Sequence, residues 1–380
     1  MQSVLETRSR PARARALRRW WPALLLLWLL STPLLAQDRE GAKTGVGFAS
    51  IEVTDPVRGG PMPGYVFYPA SARAESPTRV GPYEVQAARD APALSGAKPL
   101  VLLSHGHAGS NLGHHDLAIH LAGHGFVVAT IAHSGDDFRD ASLDGHPEVL
   151  GGRPVQISAT IDALLRDPRW KPLIDENRIG VAGFSNGGYT SLLLVGAVPN
   201  LRRFVDYCRR YPDDKLCAGA KPLEAEAERR GQTIEAFMDG MQDQLTRWGK
   251  TSDPRVKSAF AMAPLSLVFD AEGLAGIQRP VFLYYSEGDT LLRPSENAAR
   301  IEPLLKTLAG VRTIPKADHW VFIPPCTPEL AEAVPEICTD PPGVDRAAAH
   351  ARMNADALAF FRKTLMRAAE PDAGANPGRP

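Results

Sequence analysis

The chain has 380 residues, of which 44% are hydrophobic and 23% charged, with equal numbers of basic and acidic side chains. This is ordinary globular composition, and it excludes a disordered, collagen-like or fibrous chain. Without a basic excess there is no electrostatic footprint for nucleic acid.

The first forty residues differ from the rest. Arg8, Arg10, Arg13, Arg15, Arg18 and Arg19 form a basic run, followed by an apolar stretch from Trp20 to Ala36 that only Pro22, Ser31, Thr32 and Pro33 interrupt. Positive flank, apolar centre and small terminal residue are the layout of a secretory signal peptide, here residues 1–36, cleaved after Ala36. An uncleaved anchor is the alternative, but the stretch is short of the roughly 20 residues a bilayer demands and contains two prolines. Gln37 stands where a lipid-anchored protein would carry cysteine. Export to the periplasm or medium is therefore expected, with no stable membrane anchor afterwards. Loss of six arginines against one glutamate leaves the remainder mildly acidic.

Residues 45–53 and 64–68 read as strands, being rich in aromatic and β-branched side chains. Residues 70–97 read as an irregular excursion. Then apolar runs alternate with helical spacing: strand 98–106, helix 113–123, strand 125–133, helix 153–166, strand 178–185 and helix 188–195. The alternation resumes with strands 256–263 and 279–286, helix 294–308, strand 311–315 and a last helix over 345–366. Buried strands alternating with helices predict a mostly parallel sheet covered on both faces. Residues 196–254 break the rhythm and read as a helical insertion, a cap over the sheet or a peripheral decoration. Residues 37–368 form one catalytic domain on this reading, and 369–380 a disordered tail.

Cys208, Cys217, Cys326 and Cys338 form two close pairs. In an exported chain an even count predicts disulfides. Three connectivities exist, and the local one, Cys208–Cys217 with Cys326–Cys338, is the simplest. Four reduced, packed cysteines are the alternative. The spacings do not suit zinc.

Gly183-Phe184-Ser185-Asn186-Gly187-Gly188 is a G-x-S-x-G motif placed directly after a predicted strand and before a predicted helix. Such a turn lifts the serine oxygen above the sheet at a helix N-terminus, where developing negative charge is favoured. A serine hydroxyl needs a base beside it. Asp289 and His319 each follow a predicted strand, in the chain order acid then histidine. Asp289 would orient the imidazole and His319 would take the Ser185 proton. Glu287 and Asp270 are rival acids. Asp318 is expected to point away from His319, and His350 to be structural. For the oxyanion the backbone N–H of Asn186 is one donor. The other is expected from the loop Ser104-His105-Gly106-His107-Ala108-Gly109, at the His107 N–H. The spacing His105-x-His107 also invites a metal, but the Asp-His of a dinuclear metallohydrolase loop is missing. Phe184 and Trp320 are read as pocket-lining residues from their place in the chain.

The stretches LVLLSHGHAGS, GFVVATIAHSG, RIGVAGFSNGGYTSLLL, DPRVKSAFAMAPLSLVFD, FLYYSEGDTLLRPSENAAR and DPPGVDRAAAHARMNADALAFF span roughly residues 98–366. Together they resemble the α/β-hydrolase superfamily. More closely, they are similar to bacterial proteins described as predicted dienelactone hydrolases. These are related to platelet-activating-factor acetylhydrolase and, more distantly, to polyester hydrolases of the cutinase type. The resemblance implies an α/β-hydrolase fold with Ser185, Asp289 and His319 as the triad and the His107 and Asn186 amides as oxyanion donors. True dienelactone hydrolases use a cysteine nucleophile where this chain has Ser185, so that substrate is not implied. Many relatives carry histidine where this chain has Phe184. The expected activity is hydrolysis of a small-molecule carboxylic ester through an acyl-enzyme, without cofactor or metal. An amidase or peptidase with the same triad, a metallohydrolase and a catalytically silent binding protein are the alternatives.

Overall fold

A computed structural model describes residues 44–366. The expected signal segment, 1–36, and the expected tail, 369–380, lie outside them. The strands, in chain order, are β1 (Gly45–Thr54), β2 (Pro61–Ala70), β3 (Thr78–Val80), β4 (Tyr83–Val85), β5 (Ala88–Arg89), β6 (Lys98–Ser104), β7 (Val127–Ile131), β8 (Ile174–Phe184), β9 (Val256–Met262), β10 (Val281–Ser286) and β11 (Leu308–Ile314). Among the described residues, nine of them form one sheet in the order β11-β10-β9-β8-β6-β7-β2-β1-β5. Only β2 runs against its neighbours, β1 and β7. The other pairs are parallel. β3 and β4 form a separate hairpin.

The central strands read as unbroken apolar runs because both faces are covered. Along β6, Leu100 and Leu102 enter one core, while Val101 and Leu103 enter the other. Helices α1 (His115–Ala122), α2 (Gly152–Arg166) and α3 (Asn186–Leu194) lie within the sheet region of the chain, and Arg346–Leu365 closes it. The first core takes Ile157, Ile161 and Leu164 from α2; the second takes Leu117 and Leu121 from α1 with Met353, Ala357 and Phe361 from the last helix. Parallel strands deliver their following loops to one edge of the sheet, so the loops after β6, β7, β8, β10 and β11 share that edge.

The insertion is helical: α4 (Arg202–Arg210), α5 (Ala220–Arg229) and α6 (Ile234–Gln244). Leu201, Val205, Met238, Met241 and Leu245 join the first core. Arg293, in the loop after β10, donates to Asp214 at 2.8 Å. Tyr211 donates to Glu296 at 2.9 Å. A Cβ on Gly151, beside the start of α2, would meet the Leu245 carbonyl at 2.2 Å. The insertion thus docks on loops at the same edge.

Two expected stretches differ. Helix 294–308 is instead two short turns, Ala298–Ile301 and Glu302–Leu304, before β11 starts at Leu308. Pro303 removes an amide donor and breaks the helical ladder there. The excursion 70–97 contains the β3–β4 hairpin and β5. Their sequence signal is weak because the strands have only two or three residues each.

Cys208 bonds Cys217 and Cys326 bonds Cys338. The second loop begins four residues after the turn His319–Phe322. It is pinned by Thr327 donating to the Pro82 carbonyl at 2.7 Å and by Arg346 donating to the Ile337 carbonyl at 2.7 Å. A loop this short gives about 2–3 kcal/mol through the unfolded state. Replacing Cys326 and Cys338 together by serine is expected to lower Tm by about 4 °C in calorimetry. An unchanged Tm would show that the bridge adds nothing to stability.

Candidate active site

β8 turns into α3 through Gly183-Phe184-Ser185-Asn186-Gly187. The turn is tight enough that side chains are excluded on either side of the serine. A Cβ on Gly183 would meet the Gly187 carbonyl at 2.0 Å, and one on Gly187 would meet the Ser104 carbonyl at 1.9 Å. Ser185 itself stands at φ 55° and ψ −114°, a conformation residues with a Cβ rarely adopt. Its backbone N–H donates to Met262 at 2.9 Å, and its carbonyl accepts from Leu265 at 3.1 Å. The turn therefore presents Ser185 at the head of a helix whose first N–H groups have no intrahelical acceptor.

His319 sits on a short 3₁₀ turn after β11. Its Nδ1 lies 2.7 Å from Asp289 Oδ2, and both side chains are only 1% exposed. The other carboxylate oxygen accepts from the Leu291 and Leu292 amides at 3.0 and 2.7 Å. With Oδ2 accepting, Nδ1 carries the proton and Nε2 presents a lone pair. Nε2 is buried and has no hydrogen-bond partner. The structure thus joins Asp289 to His319, but makes no hydrogen bond from His319 to Ser185. The Phe184 ring lies 4.7 Å from the His319 ring. Phe184 is buried and also packs on Trp320 and Phe322. Trp320 meets the His319 ring edge-on at 5.2 Å. Together the two aromatics wall the imidazole.

The neighbouring acids are engaged elsewhere. Asp270 caps a short helix through Gly273 and accepts from Asn200. Glu287 accepts from Thr313. Asp318 accepts from its neighbour's amide and from the Thr290 amide at 3.0 Å, tying the histidine loop to the acid loop. His350 lies 2.7 Å from Asp116 and donates to the Val321 carbonyl at 2.9 Å, supporting the 3₁₀ turn from behind.

The backbone N–H groups of His107 and Asn186 form no hydrogen bond with any described residue. Around them is a polar network that motif reading does not reveal, centred on Asp136. Asp136 Oδ1 meets His107 Nδ1 at 2.6 Å and accepts the Ala108 amide at 3.0 Å. Oδ2 accepts from Arg153 at 2.7 Å and from the Asn186 side chain at 2.9 Å. Arg153 also donates to the His105 carbonyl and to Ser104 Oγ. Asp136 and Arg153 are both essentially unexposed. Burial opposes the Asp136 charge, but Arg153 and the donors around it bring its pKa down to about 2. One signal does exist in the sequence: Arg153, Ile157, Ile161 and Leu164 follow one helical face, so a charge stands on the buried stripe of α2. His105 uses Nδ1 on the Gly106 carbonyl and Nε2 on the His133 amide, and His107 Nδ1 is held by Asp136.

No family model matches the chain, and no curated protein sequence does. Among solved structures it is similar to a ferulic acid esterase from Streptomyces cinnamoneus, with TM-score 0.56 and 20% identity over 87% of this chain and 93% of that one. Likeness at this level bears on the fold, and with the strand order it identifies the α/β-hydrolase fold.

Three histidines beside or beneath the site are buried and neutral. His105 accepts a backbone N–H at Nε2, which leaves no room for a second proton. Burial, reinforced by Arg153, pushes its pKa down to about 3. Burial holds His114 down at about 4 and His133 well below the ordinary value. His133 is further fixed by Ser104 at 2.9 Å and Gln156 at 2.7 Å. A histidine that refuses a proton in the fold and accepts one when unfolded stabilises fully above about pH 6.5; that contribution drains away as pH falls toward the folded values. The slope is about 1.4 kcal/mol per pH unit for each histidine. His107 runs the other way, since its hydrogen bond to Asp136 raises its pKa, but at pH 5 it is protonated in both states. Unfolding at pH 5 is therefore expected to take up about three protons. The urea midpoint should fall steeply between pH 7 and pH 5. A flat midpoint across that range would contradict the neutral, buried assignment.

Proposed function

We propose that this chain is an exported carboxylic-ester hydrolase that works through an acyl-enzyme on Ser185. The observation that carries the reading is the buried Asp289–His319 pair at 2.7 Å, on loops that share the sheet edge with a serine in a glycine-flanked turn. The name of the solved neighbour, a ferulic acid esterase, supports an ester as the bond attacked. The two disulfides support an oxidising compartment. No described helix is long and apolar enough to cross a membrane.

In this scheme the Ser185 oxygen attacks the ester carbonyl carbon while its proton passes to His319 Nε2. Asp289, bonded to Nδ1, holds the tautomer and stabilises the imidazolium. The carbonyl oxygen becomes an oxyanion and accepts hydrogen bonds from the His107 and Asn186 amides, both unoccupied by the protein. Collapse breaks the carbon–oxygen bond, and Nε2 returns the proton to the departing alcohol. A water molecule then gives its proton to Nε2 and attacks the acyl carbon. Collapse of this second intermediate returns the proton to Ser185 and frees the acid. The scheme uses no cofactor. The substrate is a small-molecule ester, with Trp320 as a wall of its pocket.

Ser185→Ala is expected to lower p-nitrophenyl ester hydrolysis by roughly 10³-fold or more while leaving the circular dichroism spectrum intact. A folded Ser185→Ala protein retaining most activity overturns the reading. Asp289→Asn is expected to lose on the order of 10³-fold in kcat, because Nδ1 then no longer faces a carboxylate. Asp270→Asn should stay near wild type, and a reversal of these two results would move the acid elsewhere. A serine-reactive phosphonate should label Ser185, and EDTA should leave the rate unchanged.

A further inference from the structure

We infer that Asp136 is the positioning residue of the oxyanion hole, a single buried carboxylate that holds both of its halves in register. This deepens the reading above and rests on it. The two expected donors come from different segments, the loop after β6 and the head of α3. Nothing in the covalent chain fixes their separation: His107 and Asn186 are far apart in sequence. Asp136 reaches both. Through Oδ1 it holds the His107 ring and the Ala108 amide, and through Oδ2 it holds the Asn186 side-chain amide. Arg153 completes the set, one arm on Oδ2 and the other on the His105 carbonyl, two residues before His107.

Two physical points make this more than a packing contact. First, the carboxylate is saturated. Four donors converge on two oxygens, the number of lone-pair sites it possesses. An amide at the same position offers one oxygen only, and its NH₂ would face donors. Second, the segment it holds is not in a relaxed conformation. Ala108 stands at φ 49°, which a residue with a Cβ adopts only when its surroundings enforce it. The bond from its amide to Asp136 is that enforcement. Oxyanion donors act by being fixed in advance of the reaction, so a fraction of an ångström of freedom between them weakens the transition state more than substrate binding.

The test uses the full exported protein with p-nitrophenyl acetate as substrate. Active sites are counted by stoichiometric phosphonate labelling of Ser185, and kcat is expressed per labelled site. Asp136→Asn is expected to lower kcat on the order of 10²-fold with KM changed by no more than about three-fold. The inhibition constant of phenylboronic acid, whose serine adduct carries a tetrahedral oxyanion, should rise in parallel. Asn186→Ala is the milder probe: it keeps the backbone amide and the Asp136–Arg153 pair and removes one tether. It should lower kcat on the order of 10-fold with the same split. A merely structural role for Asp136 would reduce Tm and the number of labelled sites, but leave kcat per site and boronate affinity at wild-type values. That result overturns the inference. Should Asp136→Asn fail to fold, Asn186→Ala decides alone, and wild-type kcat per site in it is equally fatal. Failure of the underlying reading looks different: the unmodified protein would neither hydrolyse the ester nor take the label.

Discussion

Holding Ser185 at φ 55° and ψ −114° requires the chain around it to be over-determined. Such a conformation costs on the order of 1–3 kcal/mol and persists only under surrounding restraint. Here the restraint is close backbone contact. The Gly183 and Gly187 positions leave no room for a Cβ, so β8, α3 and the end of β6 meet backbone to backbone. The Met262 carbonyl and the Leu265 amide hold the serine from the β9 side. Other residues with a Cβ take positive φ at the same edge: Ala108 after β6, Ala263 after β9 and Lys316 after β11. Asp90, after β5 at the far end of the sheet, takes φ 52° as well, so such positions are not confined to the strands around Ser185. The alternating cores on both faces of the sheet supply the stability against which the serine is held.

Two buried polar systems then set the loops relative to the serine. Asp136 and Arg153 lie beside His107 and Asn186. A chain of donors runs from there through Ser104, His133 and Gln156 to Asp55. On the other side Asp318 ties the histidine loop to Thr290, and His350 with Asp116 props Val321. Burying so many polar groups is tolerable because each of these side chains makes at least one hydrogen bond. Several individual atoms still lack a partner: His319 Nε2, Arg153 Nε, Asn186 Oδ1, Asp55 Oδ2 and Asp116 Oδ1.

What can be read from the sequence is what is local. The G-x-S-x-G turn announces itself within six residues between a strand and a helix. Asp289 and His319 each stand a few residues past an apolar run, so chain order and strand ends suffice to bring them forward. The cysteine pairs are close in the chain. Asp136 and Arg153 escape because their partners are distant: 17 residues separate them from each other, and 50 separate Asp136 from Asn186. No motif spans such intervals. The helix expected over 294–308 fails for the opposite reason. Its residues have helical spacing, but Pro303 and the early start of β11 at Leu308 leave space for only two turns.

The insertion between β8 and β9 connects these halves in a third way. Its ion pair from Asp214 to Arg293 and the bond from Tyr211 to Glu296 attach it to the segment just beyond Asp289. The contact of Leu245 with Gly151 attaches it beside the start of α2, two residues before Arg153. One helical unit therefore rests on the loop that bears the acid and on the helix that bears the buried guanidinium. Asp214 is itself almost wholly buried, so swinging the unit away would expose apolar core and strip a carboxylate of its arginine.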